Sequence, residues 1–296
     1  MNVHILQKSL FELNRITVEP LKYQLLKWIG SKQKVAHQIV SIFPENYNTY
    51  YEPFLGSGAV LATLSPKQGV ASDIFQHLIG IWQTLKENPE LLKEWYKKRW
   101  DEMQKGSKIE AYEKIKASYN MNPNSADLLF LSRSCYGGVV RFRKSDGYMS
   151  TPCGIHNPIP PDKFSMRVDE WTLRVKNTVF YQMDYTEALS MTRKEDLVYC
   201  DPPYTDTQKI LYGAQDFSFI KLIEAIERCK SKGVFVALSI DGTKFSGSKT
   251  IKLPIPQGLF KRELFIHNGS SMLKRFQLNG KTTENELVSD RLLLTY

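Results

Sequence analysis

The sequence has no apolar run approaching the roughly 18 to 20 residues that a membrane helix needs. Its longest candidates, Gly233 to Ile240 and Arg291 to Tyr296, are of strand length. The opening Met1-Asn2-Val3-His4 leads quickly into charged residues and does not read as a secretory leader, so a cytoplasmic protein without membrane association is expected. Cysteine is scarce. Four in 296 residues, at Cys135, Cys153, Cys200 and Cys229, show no pairing pattern, which suits a reducing compartment. Cys153-Gly154-Ile155-His156 resembles half a zinc site, but no second half follows; structural zinc wants four ligands, and no metal is expected. Repeats, low-complexity stretches and long linkers are absent. Acid is also short: 31 Asp+Glu against 40 Lys+Arg leave a net charge of +9. Such a balance favours a polyanionic partner, nucleic acid or anionic membrane, although charge alone serves solubility equally well. What is left, 42% hydrophobic and 24% charged residues, is an ordinary globular composition and excludes disorder, collagen and coiled coil.

After an extension at 1–21, short β-branched or aromatic runs alternate with helical patterns, the signature of an α/β fold with a parallel sheet. Strands are expected at Thr49–Phe54, Gly69–Ser72, Val179–Met183, Asp196–Cys200 and Val234–Ser239. An antiparallel pair is expected at Leu259–Ile266 and Leu287–Thr295. Helices should fill Lys32–Ile42, Phe75–Lys86 and Phe217–Lys230. Between the second and third strands lies an insert far longer than a usual βα connection. Asn88-Pro89-Glu90 opens it with a cap, a first-turn proline and a first-turn acid. Helices follow at Leu91–Trp100 and around Lys108–Tyr119, then the apolar Ala126–Leu131. Val139 to Met149, with Asp146-Gly147 at its turn, reads as a β-hairpin. The insert is therefore a mostly helical unit of about 76–169, set between the sheet-forming segments 22–75 and 170–296.

Four acids, Glu52, Asp73, Asp184 and Asp201, stand at or just past the carboxyl ends of four expected strands, the edge where open α/β sheets bind ligands. The first strand runs into Glu52-Pro53-Phe54-Leu55-Gly56-Ser57-Gly58, whose glycines permit a sharp turn and close approach of a ligand. The third glycine of the dinucleotide fingerprint is missing. With Asp73 suited to ribose hydroxyls, a nucleoside cofactor without a pyrophosphate fits better than a nicotinamide dinucleotide. Asp201-Pro202-Pro203-Tyr204 follows the apolar Leu197-Val198-Tyr199-Cys200. Two prolines remove backbone donors and leave only carbonyls. A carboxylate, a proline carbonyl and an aromatic face together suit a planar amino group.

The ordered set resembles the Dam-like, alpha-class (D12-type) DNA adenine-N6 methyltransferases. Their upstream cofactor motif is similar to Lys27-Trp28-Ile29-Gly30-Ser31-Lys32, and their glycine motif to Tyr51 through Gly58. Asp73-Ile74, Asp184-Tyr185 and Asp201 to Tyr204 match the remaining motifs in order. The resemblance implies a Rossmann-like S-adenosylmethionine-dependent sheet carrying an inserted, mostly helical target-recognition domain with a β-hairpin. It implies cofactor contacts from Lys27, Trp28 and Gly30, a floor of Phe54, Gly56, Ser57 and Gly58, and ribose contact from Asp73. Asp184 and Tyr185 border the cofactor adenine, and Asp201 reaches both cofactor and base. Catalysis falls to Asp201, Pro202, Pro203 and Tyr204, without a metal, on an adenine flipped out of double-stranded DNA. DNA contacts are expected from Arg133, Tyr136, Arg141, Arg143 and Lys144; the two arginines at 141 and 143, two apart, share one face if the segment is extended. The family's Asn-Arg, Tyr-Asn-Gly and Arg-x-Asn stretch reads here Ser132-Arg133-Ser134-Cys135-Tyr136-Gly137-Gly138-Val139-Val140-Arg141-Phe142-Arg143, so a GATC target is not implied. By contrast, Tyr96 to Arg99, close to Asp101 and Glu102, reads as a solvated helix face. A monomer is expected, serving either a restriction-modification system with a cognate endonuclease or as an orphan methylase. An RNA or protein methyltransferase, or a catalytically dead DNA-binding relative, are the alternatives.

Overall fold

The computed structural model describes residues 21–143, 145–203, 217–241, 255–270 and 287–296, with the main chain only at 241, 267–270 and 287–289. Tyr204, Lys144 and nearly all of the expected N-terminal extension lie outside the described residues. Among the described residues no helix is long and apolar enough to cross a membrane.

Seven strands form one sheet: β1 (Tyr50–Glu52), β2 (Gly69–Asp73), β3 (Thr178–Gln182), β4 (Leu197–Cys200), β5 (Phe235–Asp241), β6 (Arg262–Ser270) and β7 (Leu287–Leu294), in the order β3-β2-β1-β4-β5-β7-β6. The first five run parallel, and β7 enters antiparallel between β5 and β6. All seven expected strands are present. The central strands β4 and β5 are the most legible, because a strand buried on both faces reads as an unbroken apolar run. Successive residues serve opposite cores: Leu197 and Tyr199 pack into one, Val198 and Cys200 into the other. Leu292 and Leu294 join the first core while Leu293 joins the second.

The first face is covered by α1 (Ala36–Val40), α2 (Ala59–Leu64), α3 (Gln76–Glu87) and α7 (Pro161–Val175), and the second by α8 (Tyr185–Ser190) and α9 (Phe219–Ser231). Because β1 lies between β2 and β4, the winding direction reverses there. The crevice at the carboxyl ends of β1 and β4 is the sheet's switch point, where such folds place ligands.

Between α3 and α7 the chain adds α4 (Pro89–Gln104), α5 (Lys108–Met121), α6 (Ser125–Ser134) and a 3-10 turn at Tyr136–Gly138. The Asn88 side chain accepts from the Leu91 amide with Pro89 in the first turn, as its sequence signature demands. The insert shares the sheet's core instead of owning one. Trp82 of α3 packs against Trp171 of α7 and Phe180 of β3, and Tyr96 of α4 stacks on Phe164 with centroids 3.9 Å apart. A division at 169/170 would cut through α7, and α3 packs directly on β2 and β3. The added unit thus spans roughly the elements from α4 to the loop before α7.

Two further expectations change. Of the basic stretch 96–99, Tyr96 is fully buried and Arg99 pairs with the buried Asp127 at 2.6 Å, while Lys97 does lie on a solvated face with Asp101. Among the described residues the hairpin is reduced to one bridge, Phe142 to Met149, about the Asp146-Gly147 turn. The next rungs are intercepted by the Thr151 hydroxyl, which accepts from the Arg141 amide at 3.0 Å and donates to the Val139 carbonyl at 2.7 Å.

Candidate active site

β1 ends at Glu52, and the chain then turns through Gly56 and Gly58 with φ of +48° and +62°. That left-handed region favours glycine. A side chain at Gly56 would meet the Trp28 ring at 3.3 Å, so the glycine lets the segment before α1 lie against the turn. A cavity of about 280 Å³ opens here, lined by residues 28–32, the glycine turn, Asp73, Asp184, Tyr185, Tyr199, Asp201 to Pro203 and Phe217.

Each carboxylate on the edge is held differently. Asp73 accepts from the amides of Gly56 and Phe75, both at 3.1 Å, and burial lifts its pKa to about 6 against the pull of those bonds. Asp184 caps α8, accepting from the Thr186 amide and hydroxyl. Glu52 is buried and accepts a hydrogen bond from the Tyr50 hydroxyl at 2.5 Å. Burial, with the Asp201 carboxylate contributing, raises its pKa to about 8, so the group is mostly neutral at pH 7. Asp201, just past β4, faces the ammonium of Lys32 at 2.8 Å. At the other end of the cavity Phe54 stacks on Tyr185, centroids 5.1 Å apart, and Phe217 meets Phe54 edge-on. Tyr185 is fixed by its hydroxyl, which donates to the Ser218 carbonyl.

Among the described residues the cavity thus combines a stacked aromatic wall with four acids and one lysine. Such a lining favours a ligand with a flat ring and positive charge. The profile of the D12 class N6 adenine-specific DNA methyltransferases matches residues 28–252, from the cavity's first tryptophan past β5.

The chain belongs to this family.

It is 28% identical over 247 residues to the Type II methyltransferase M1.LlaDCHI of Lactococcus lactis subsp. cremoris, covering 78% of this chain and 84% of that protein. It is 28% identical over 241 residues to the Type II methyltransferase M.MjaIII of Methanocaldococcus jannaschii, with coverages of 72% and 82%. A DNA adenine methylase of Haemophilus influenzae is 25% identical over 234 residues, 75% of this chain and 80% of that one. The protein is a DNA adenine-N6 methyltransferase, which sets aside the RNA and protein alternatives.

Most site residues expected of this D12 methyltransferase do line the cavity: Trp28, Gly30, Phe54, Gly56, Ser57, Asp73, Asp184, Tyr185, Asp201, Pro202 and Pro203. Gly58 does not. It lets α2 approach Trp82, which a side chain there would meet at 2.9 Å. Lys27 is also outside the lining and exposed, its methylenes against Gly138 of the insert. The left-handed turn at Gly30 brings Lys32 into the cavity instead. Of the expected DNA contacts, Arg141 and Arg143 are exposed, Phe142 between them points inward against Phe75, and Tyr136 is 40% exposed. Arg143 is braced by Asp146 at 2.8 Å and lies over the Tyr148 ring. Arg133 is not available to DNA: it is 5% exposed, bonded to main-chain carbonyls. Sequence reasoning missed Phe217, Ser31 and Lys32 as cavity residues, and Asp290 behind Lys32.

Proposed function

We propose that the cavity binds S-adenosylmethionine and that Asp201-Pro202-Pro203-Tyr204 receives an adenine flipped out of double-stranded DNA. The observation carrying this reading is that Asp201 opens into the same cavity as Asp73 and the stacked Phe54–Tyr185 pair. The chain's groups fit that cofactor. A stacked aromatic pair suits its purine, Asp73 its ribose hydroxyls, and the excess of acids its positive charge.

When bound, the cofactor supplies a methyl group already activated by a cationic sulfur. The protein's own task is then alignment and exclusion of water. Trp28 and the glycine turn wall the cavity, and Asp184 with Tyr185 closes its adenine end. Asp201 and the Pro202 carbonyl accept hydrogen bonds from the target amino group, which directs its lone pair along the line of transfer. Tyr204 supplies the stacking face. Flipping the base costs a few kcal/mol, and stacking returns about 1 to 3 kcal/mol. Arg141 and Arg143, with Lys144 and Tyr136, grip the duplex, and the departures in 132–143 from the family pattern leave the target sequence open.

Asp201→Ala tests the reading. Transfer of labelled methyl to unmethylated genomic DNA should vanish while cofactor binding, measured by calorimetry, persists. Asp73→Ala should lose the binding itself. Full transfer by Asp201→Ala would refute the assignment. Sequencing modified bases in DNA from an expressing host identifies the target.

A further inference from the structure

Behind the catalytic edge lies a cluster of charges that the glycine turn does not require. Lys32 Nζ stands 2.8 Å from Asp201 Oδ1, 3.5 Å from Asp290 Oδ2 and 3.4 Å from the Gly30 carbonyl oxygen. Lys32 is 7% exposed and Asp290 6%. Three separate pieces of chain meet here: the segment before α1, the end of β4 and the antiparallel strand β7. Removing an ammonium and two carboxylates from water costs several kcal/mol per ion before their attraction compensates, and well-packed apolar residues are often as stable or more so. Stability therefore does not explain the cluster. Geometry does: an ammonium on Oδ1, itself held by a second acid, fixes the rotation of the Asp201 carboxylate.

We propose that Lys32, backed by Asp290, is a positioning residue for methyl transfer, keeping the Asp201 carboxylate ionised and at a set angle to the target amino group. The inference rests on the role given to Asp201 above. Among the described residues, the titratable groups around Asp201 include Lys32, Glu52 of β1, the adjoining Cys200 thiol and, through Lys32, Asp290 of β7. Lys32 supplies the positive member of this set. Without it, burial and the charge of Asp290 disfavour the ionised form of Asp201.

The test uses the full-length enzyme, tritiated S-adenosylmethionine and unmethylated genomic DNA, with cofactor affinity measured separately by calorimetry. Lys32→Gln should lower kcat by roughly 10- to 100-fold, the scale of a misplaced reacting group. Cofactor affinity should stay unchanged, and the acid limb of kcat should move to higher pH. Asp290→Asn should give a smaller loss in the same direction. Added ethylammonium should restore part of the turnover of Lys32→Ala, which a purely structural lysine would not allow. Wild-type kcat in Lys32→Gln, or a loss confined to cofactor affinity, would overturn the inference and make Lys32 a cofactor contact. Should the Lys32 variants fail to fold, an unchanged kcat and pH profile in Asp290→Asn overturns it equally. Asp201→Ala is assayed in parallel: activity there removes the proposed function itself, whereas an inactive Asp201→Ala beside a fully active Lys32→Gln removes only this inference.

Discussion

The Arg133 guanidinium donates from Nη1 to the main-chain carbonyls of Gln24, at 3.1 Å, and Leu25, at 2.8 Å, more than a hundred residues earlier in the chain. From α7, Arg167 donates to the same Gln24 carbonyl and Trp171 to that of Tyr23. The segment leading to Trp28 and Lys32 is thus tied down by side chains that come after it. Burial draws the Arg133 pKa down to about 10, which leaves it charged at neutral pH. Arg133→Met should therefore cost about 3 kcal/mol in denaturant unfolding, since it strands buried acceptors. Cofactor affinity should fall with it as the segment loosens, and the salt dependence of DNA binding should stay as in the wild type. A shallower salt slope with unchanged stability would return Arg133 to the DNA interface.

Arg141 and Arg143 should behave in the opposite way. Both are exposed on one side of the bridge, with Phe142 anchoring the other. Each Ala substitution should lower DNA affinity across all sequences and reduce the slope of log K against log salt by about one. Global stability should hardly change, because the Arg143–Asp146 pair is half exposed and such pairs contribute little. Filter binding at two salt concentrations decides the matter; a slope that does not move in either variant would place the duplex elsewhere.

The contrast between Arg133 and Arg141 shows where sequence was sufficient. The central strands β4 and β5 and the Asn88-Pro89 cap follow from local rules, continuous burial and terminal chemistry. Helix α7 was equally legible, since Phe164, Val168, Trp171 and Val175 form one fully buried stripe behind Pro161, yet it was not read. Arg133 could not be read. It lies on α6, where all residues from Ala126 to Ser134 are buried by surrounding helices, so no polar face marks its direction. Lys27 and Lys32 share one hexapeptide, and only the left-handed turn at Gly30 decides which of them reaches Asp201. Asp290 arrives from β7, some 250 residues away, and no local pattern announces it.

Two glycines separate backbone strain from crowding. Gly58 has φ of +62° and would place a side chain 2.9 Å from Trp82; Gly147 has φ of +68° with nothing within 4 Å. Gly147→Ala should cost about 1 to 2 kcal/mol, the left-handed penalty alone. Gly58→Ala should cost clearly more and lower cofactor affinity, since Trp82 also donates to the Gly56 carbonyl at 3.2 Å. Equal unfolding midpoints for the two variants would mean that Trp82 yields freely.

The pH dependence of stability should carry the signature of Glu52. Its carboxyl titrates at about 8 when folded, against an ordinary 4.5, chiefly because it is buried. A proton bound more tightly in the folded state stabilises fully below the unfolded pKa and is lost as pH rises through the folded one. Asp73, raised from 3.8 to about 6, acts in the same sense but has finished by then. Between about pH 6 and 8 the fall in thermal midpoint therefore belongs mainly to Glu52. Glu52→Gln keeps an acceptor for the Tyr50 hydroxyl and has no proton to lose, so its midpoint should stay nearly level over that interval and exceed the wild type's at the upper end. Tyr50→Phe should act in reverse, removing the bond that favours the carboxylate and extending the wild-type fall to higher pH. Parallel midpoint curves for wild type and Glu52→Gln would mean that Glu52 is already ionised at neutral pH.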